Sequence, residues 1–178
     1  MQVLFIQGGG KDVHEAWDRK LVDSLTRELG SGYEVRYPRM PNEDDPSFTS
    51  WRPAIVKELE ALDDGAIVVG HSVGATMLLY TLLDETVHVK PAALVLIAPP
   101  FVGEGGWPSD DIEVRSQLAL PTQLRVFVYR GSRDDTVPAS HAQLYAKALP
   151  QATVTTLPDR DHQLSNDLRD VAEDIRTV

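Results

Sequence analysis

Residues Gly70-His71-Ser72-Val73-Gly74 form a G-x-S-x-G pentapeptide. Its flanks are what that pattern needs: the apolar run Ile67-Val68-Val69 before it, and Ala75-Thr76-Met77-Leu78-Leu79, of helical character, after it. A strand that turns sharply into a helix exposes the central serine Oγ at the carboxyl end of a sheet. The turn holds that serine in strained backbone geometry, and the flanking glycines let the chain pass closely. A serine hydroxyl alone is a weak nucleophile. To attack a carbonyl it needs a base to take its proton, an acid to orient that base, and N–H donors for the oxyanion.

Each part has a candidate. Gly131-Ser132-Arg133-Asp134-Asp135-Thr136-Val137-Pro138 follows an expected strand at 125–129, which puts both carboxylates at that strand's carboxyl end; either aspartate also fits ordinary loop duty. His162 lies between an expected strand at 153–156 and the last expected helix, where a general base would sit. The chain order serine, aspartate, histidine is that of α/β-hydrolase sites, unlike the chymotrypsin and subtilisin orders. The oxyanion donors expected are the N–H of Val73 and one from Gln7-Gly8-Gly9-Gly10, with Gly9 chosen over its neighbours Gly8 and Gly10. His71 should point away from the serine and pack or hydrogen-bond locally, whereas His14, His88 and His141 are expected at the surface.

Rival chemistries fit less well. A phosphate loop needs Lys-Ser/Thr after its glycines, but Gly10-Lys11 runs into Asp12. A dinucleotide fingerprint fails too, because Val13 stands where the third glycine belongs and the next strand ends in Arg36-Tyr37 without an acidic residue. Asp159-Arg160-Asp161-His162 gathers potential ligands, yet with no cysteine and no two-histidine helix motif it predicts no metal, and no cofactor is expected.

These residues need a scaffold, and short β-rich runs alternating with stretches of helical period predict βαβ units around a parallel sheet. Strands are expected at 3–6, 34–37, 66–69, 92–98, 125–129 and 153–156, several continuously apolar as strands covered on both faces are. Helices are expected at 15–29, 53–62, 73–83, 139–149 and 166–176. In the last, Leu168, Val171, Ala172 and Ile175 share one face and Ser165 is a candidate N-cap. The stretch 99–123 must supply a loop and a crossover helix, which leaves little for a lid. Phe101 and Trp107, with Met40 from the loop after the second strand, are the candidate substrate pocket, a shallow apolar wall for short acyl groups; Phe101 and Trp107 could equally pack on the sheet.

At 178 residues, 42% hydrophobic and 25% charged, the chain suits one domain spanning 1–178. No apolar run approaches the ~20 residues of a membrane span. A net charge of −10 disfavours nucleic-acid and membrane partners, and anionic substrates too unless Arg39 or Arg133 offsets it locally. The absence of cysteine is compatible with a cytoplasmic location.

The assembled motifs resemble the α/β-hydrolase superfamily, in particular its small lidless branch of retinoblastoma-binding protein 9 and YdeN-like proteins. The residues carrying the likeness are Val3-Leu4-Phe5-Ile6-Gln7-Gly8-Gly9, Trp51, the elbow 70–74, Gly131-Ser132-Arg133-Asp134-Asp135, and Asp161-His162. The resemblance implies a three-layer α/β/α sandwich with a mostly parallel sheet of about six strands, and it selects Asp134 as the acid. It implies a carboxylesterase-like serine hydrolase acting on a small-molecule acyl substrate, with amide and thioester hydrolysis using the same parts. A binding or scaffolding protein on the same fold, with a protein partner, is the alternative. Two residues depart from many relatives: Gln7 replaces a histidine before the glycines, and Asp161 replaces a glycine before His162.

Overall fold

The computed structural model describes residues 1–84, 87–115 and 117–178. Six strands, β1 (Gln2–Ile6), β2 (Glu34–Arg36), β3 (Ile67–His71), β4 (Ala93–Ile97), β5 (Arg125–Gly131) and β6 (Ala152–Leu157), form one sheet in the order β2-β1-β3-β4-β5-β6. Every pairing is parallel. Among the described residues there are five α-helices: α1 (Asp18–Leu29), α2 (Phe48–Glu60), α3 (Ser72–Asp84), α4 (Ser140–Ala148) and α5 (Arg169–Ile175).

Continuous apolar strands follow from helices on both faces. Leu4, Ile6, Val68, Leu94, Leu96, Val126 and Val128 point to one side, where Trp51, Ile55 and Leu59 of α2, Leu78 and Leu79 of α3, and Tyr145 of α4 cover them. Val3, Phe5, Ile67, Val69, Val95, Ile97, Phe127 and Tyr129 point to the other, against Leu21 and Leu25 of α1 and Val171, Ala172 and Ile175 of α5. The expected three-layer α/β/α sandwich is therefore present, with the expected number of strands.

Local expectations need correction in several places. A π-helical turn, Val13–Trp17, precedes α1 where one helix from residue 15 was expected. Helix α2 begins at Phe48 rather than at Pro53, because Ser47 caps it by accepting from Ser50 N. Ser165 is not the cap of α5: it lies in a 3₁₀ turn, Leu164–Asn166, at φ 55°, and the helix starts at Arg169. No helix occurs among the described residues between β4 and β5, where a Val102–Trp107 bridge pins the chain. No described helix is long and apolar enough to cross a membrane.

Candidate active site

The carboxyl ends of β1, β3 and β5 and the loop after β6 converge on Ser72. Ser72 opens α3 at φ 52°, a left-handed conformation rare for a residue with a side chain, held by close approach on both sides. A Cβ on Gly70 would lie 2.5 Å from Ala75 Cα, and one on Gly74 would lie 1.8 Å from the Gln7 carbonyl oxygen. Both glycines of the pentapeptide are thus required by backbone contact, one within the elbow and one against β1's loop.

His162 arrives on the segment after β6. Its carbonyl neighbours Arg160 and Asp161 pass over Gly131, where a Cβ would lie 2.1 Å from Arg160 O, and Arg133 N donates to Arg160 O over 2.8 Å. Arg160 bonds Asp167 over 2.6 Å, and Asp161 Oδ1 accepts from Ser165 N over 2.6 Å, so the Asp161 carboxylate braces its own loop. The imidazole is buried, with Nε2 3.0 Å from Ser72 Oγ and Nδ1 2.9 and 3.0 Å from the two oxygens of Asp134.

Asp134 closes the turn after β5. Its Oδ1 also accepts from Thr136 N and Val137 N, both over 2.9 Å. Burial of its side chain would raise its pKa, but the His162 and backbone hydrogen bonds outweigh that and hold it below the ordinary carboxylate value. Asp135 is exposed and accepts from the hydroxyl of its neighbour Thr136. Of the two adjacent aspartates, the structure brings Asp134 alone to His162.

Val73 N lies in the first turn of α3, where N–H groups have no intrahelical acceptor. In the glycine loop, Gly8 N donates to Asp18 Oδ2 (2.6 Å) and Gly10 N to Glu43 O (2.6 Å), whereas among the described residues Gly9 N has no protein acceptor. A Cβ on Gly9 would be 2.9 Å from Val73 Cγ2 and 2.5 Å from Pro46 Cγ, which puts that loop beside the elbow. Chemically, a hydroxyl hydrogen-bonded to an imidazole, a carboxylate behind the ring and two N–H groups nearby can transfer a proton and stabilise an oxyanion.

The three pocket candidates are not gathered into one wall. Met40 is buried and lines a cleft of about 490 Å³ with Asp12, Arg39, Asn42 and Glu43. Phe101 packs edge-on to Tyr145 and lines a separate cleft of about 350 Å³ with Glu104, Val114 and Leu144. Trp107 packs edge-on to His141, and its backbone N–H donates to Phe101 O.

Other residues sit differently from expectation. His14 and His141 are buried, not at the surface; His88 is exposed. His141 Nδ1 accepts from Phe101 N over 2.8 Å, and burial lowers its pKa. His14 stacks on Tyr37, 4.1 Å between ring centroids. Arg39 pairs with Glu15 and Glu43, and Arg133 with Asp159, so neither stands ready to offset the net charge. Sequence reasoning also missed Glu43, whose Oε2 accepts from Gln7 Nε2 (2.6 Å) and His14 N (3.1 Å); Gln7 Oε1 in turn accepts from Met40 N. Gln7 thus locks the loop after β2 to the glycine loop. The only signal for it was an amide ahead of three glycines.

The fold is shared with solved proteins. A lidless α/β serine hydrolase from Xanthomonas campestris, XC6422, is 22% identical with a TM-score of 0.64, covering 99% of this chain and 79% of that one. The ydeN gene product of Bacillus subtilis is 17% identical with a TM-score of 0.73, covering 99% of each. Est1E from Butyrivibrio proteoclasticus, solved with ferulic acid bound, is 15% identical with a TM-score of 0.67, covering 99% of this chain and 86% of that one. No curated protein sequence matches. The model of the alpha/beta hydrolase family matches residues 3–125, from β1 through the elbow to the start of β5, and this chain belongs to that family.

Proposed function

We propose that this protein is a serine hydrolase that cleaves esters of small or short-chain acyl groups. The observation that carries the reading is the 3.0 Å contact between Ser72 Oγ and His162 Nε2, with Asp134 on the opposite ring nitrogen. In this account His162 takes the Ser72 proton as Oγ adds to the ester carbonyl, and the oxyanion forms against Val73 N and Gly9 N. Asp134 holds Nδ1 protonated and balances the charge that develops on the ring. Collapse expels the alcohol, protonated by His162, and leaves an acyl group on Ser72. Water, deprotonated by the same imidazole, then releases the acid.

The acyl preference rests on the chain between β4 and β5. Its described residues are held close to the body by Thr76 Oγ1 and Tyr145 OH, which both donate to Pro100 O, and by Asp111, which accepts from Phe48 N. A segment tied down in this way is poorly placed to cover a long alkyl chain. The description of XC6422 as a serine hydrolase without a lid is consistent with this reading. The test is turnover of p-nitrophenyl acetate: wild type should hydrolyse it, and Ser72→Ala, folded by circular dichroism, should fall to background. Equal turnover by both would refute the reading.

A further inference from the structure

A second histidine–aspartate pair lies directly behind the first. Asp18, the first residue of α1, is fully buried, as is the ring of His71 beside Ser72. His71 Nδ1 lies 2.9 Å from each oxygen of Asp18, and Asp18 Oδ2 also accepts from Gly8 N over 2.6 Å. On its far side His71 Nε2 lies 3.2 Å from the backbone carbonyl of His162, and the two imidazole rings are 5.0 Å apart.

Both ring nitrogens of His71 therefore face oxygens that cannot donate: a carboxylate and a carbonyl. A neutral imidazole has one N–H, so one of the two contacts would set a lone pair against a lone pair. The carboxylate argues the same way. Asp18 Oδ2 accepts from Gly8 N, while Oδ1, 2.9 Å from His71 Nδ1, makes no well-directed hydrogen bond among the described residues, so this buried carboxylate calls for a cation against it. A doubly protonated His71 donates to both Asp18 and the His162 carbonyl and sets a positive charge against the buried carboxylate.

We propose that His71 is a positioning residue, held as an imidazolium between Asp18 and the His162 carbonyl, so that one buried cation fixes both the glycine loop through Gly8 N and the backbone of His162. The proposal rests on the serine-hydrolase reading for its catalytic consequence and deepens it. The pair joins three elements far apart in sequence: the loop after β1, the elbow, and the loop after β6. Loss of the proton must break one of the two contacts, releasing either Asp18 with the glycine loop or the backbone that carries His162. The groups around the ring are Asp18 from α1, His162 from the loop after β6 and, farther off, Asp134 after β5. Burial disfavours the charged ring, but the charge and hydrogen bond of Asp18 outweigh it and hold the His71 pKa above its ordinary value.

The test joins nitrogen-15 NMR of the histidine side chains to the pH dependence of fluorophosphonate labelling, in wild type, Asp18→Asn and His71→Gln. In wild type at neutral pH both His71 ring nitrogens should carry protons; a single neutral tautomer would overturn the proposal. In Asp18→Asn, the loss of the second N–H signal and an alkaline fall in labelling rate should move together to lower pH. His71→Gln should label on the order of 10- to 100-fold more slowly than wild type, as small displacements of a catalytic group do. A His71→Gln variant that labels at the wild-type rate, or an Asp18→Asn profile that does not move, overturns the proposal. Failure of wild type to label defeats the serine-hydrolase reading instead. The His162 ring signal then decides: one sharp set in wild type and broadened or multiple sets in His71→Gln support the positioning role, and unchanged signals refute it.

Discussion

The carbonyl oxygen of Gln7 occupies the place a side chain on Gly74 would need, since a Cβ there would lie 1.8 Å away. The clash is with backbone, so no rotamer change relieves it, and either β1's loop or the first turn of α3 must move. Gly74→Ala should therefore destabilise the protein by at least the ~1–3 kcal/mol typical of overpacking. Because both displaced segments carry the proposed oxyanion donors, the folded fraction should also lose most of its esterase rate. Urea melts with p-nitrophenyl acetate kinetics check both; wild-type stability and rate together would show that the elbow is looser than described.

Asp134 and Asp135 are adjacent but differ completely in surroundings, one bonded to His162 and the other exposed. Asp134→Asn should lower kcat by orders of magnitude, since an amide neither fixes the ring's tautomer nor balances its charge; the equivalent change in a serine protease costs about 10⁴. Asp135→Asn should stay within a few-fold of wild type. Steady-state kinetics on both variants decide it, and reversed magnitudes would move the acid by one residue.

The same carboxylate makes stability depend on pH. The pKa of Asp134 is held below its ordinary value in the folded state, so its contribution is full above the unfolded value of ~3.9 and is lost as pH falls through the lower folded one. Urea midpoints should fall more steeply across that acid window for wild type than for Asp134→Asn. Parallel slopes would mean that the hydrogen bonds to Asp134 do not favour its charged form.

Acyl length offers an independent check. With Phe101 and Met40 lining separate clefts and the chain after β4 tied to α3 and α4, each added methylene should soon stop contributing its ~0.8 kcal/mol. p-Nitrophenyl acetate or butyrate should give a higher kcat/KM than the decanoate or palmitate. A steady climb beyond eight carbons would reveal a deeper acyl site.

What was legible in the sequence was whatever local chemistry dictates. The elbow declares itself because two glycines, a serine, a strand and a helix must be contiguous, and the continuous apolar runs of β1, β3 and β4 announce a sheet covered on both faces. The partners of that elbow were less visible. Asp18 meets His71 across 53 positions and Glu43 meets Gln7 across 36, and each reads as an ordinary charged residue until the fold brings them together. His14 and His141 were misplaced for a related reason: burial of a polar ring depends on a distant neighbour, Tyr37 for one and Phe101 N for the other, that no local period encodes. The helix expected after β4 is absent among the described residues for a different reason: the length of 99–123 suits a crossover helix, but the stretch carries no helical pattern of its own.

The account stands or falls on Ser72 as the nucleophile. The direct measurement is labelling of the intact protein with a fluorophosphonate, followed by mass-spectrometric mapping of the adduct. A single adduct on Ser72, absent from Ser72→Ala, is the predicted result. An adduct on any other residue, or undiminished labelling of folded Ser72→Ala, would contradict it.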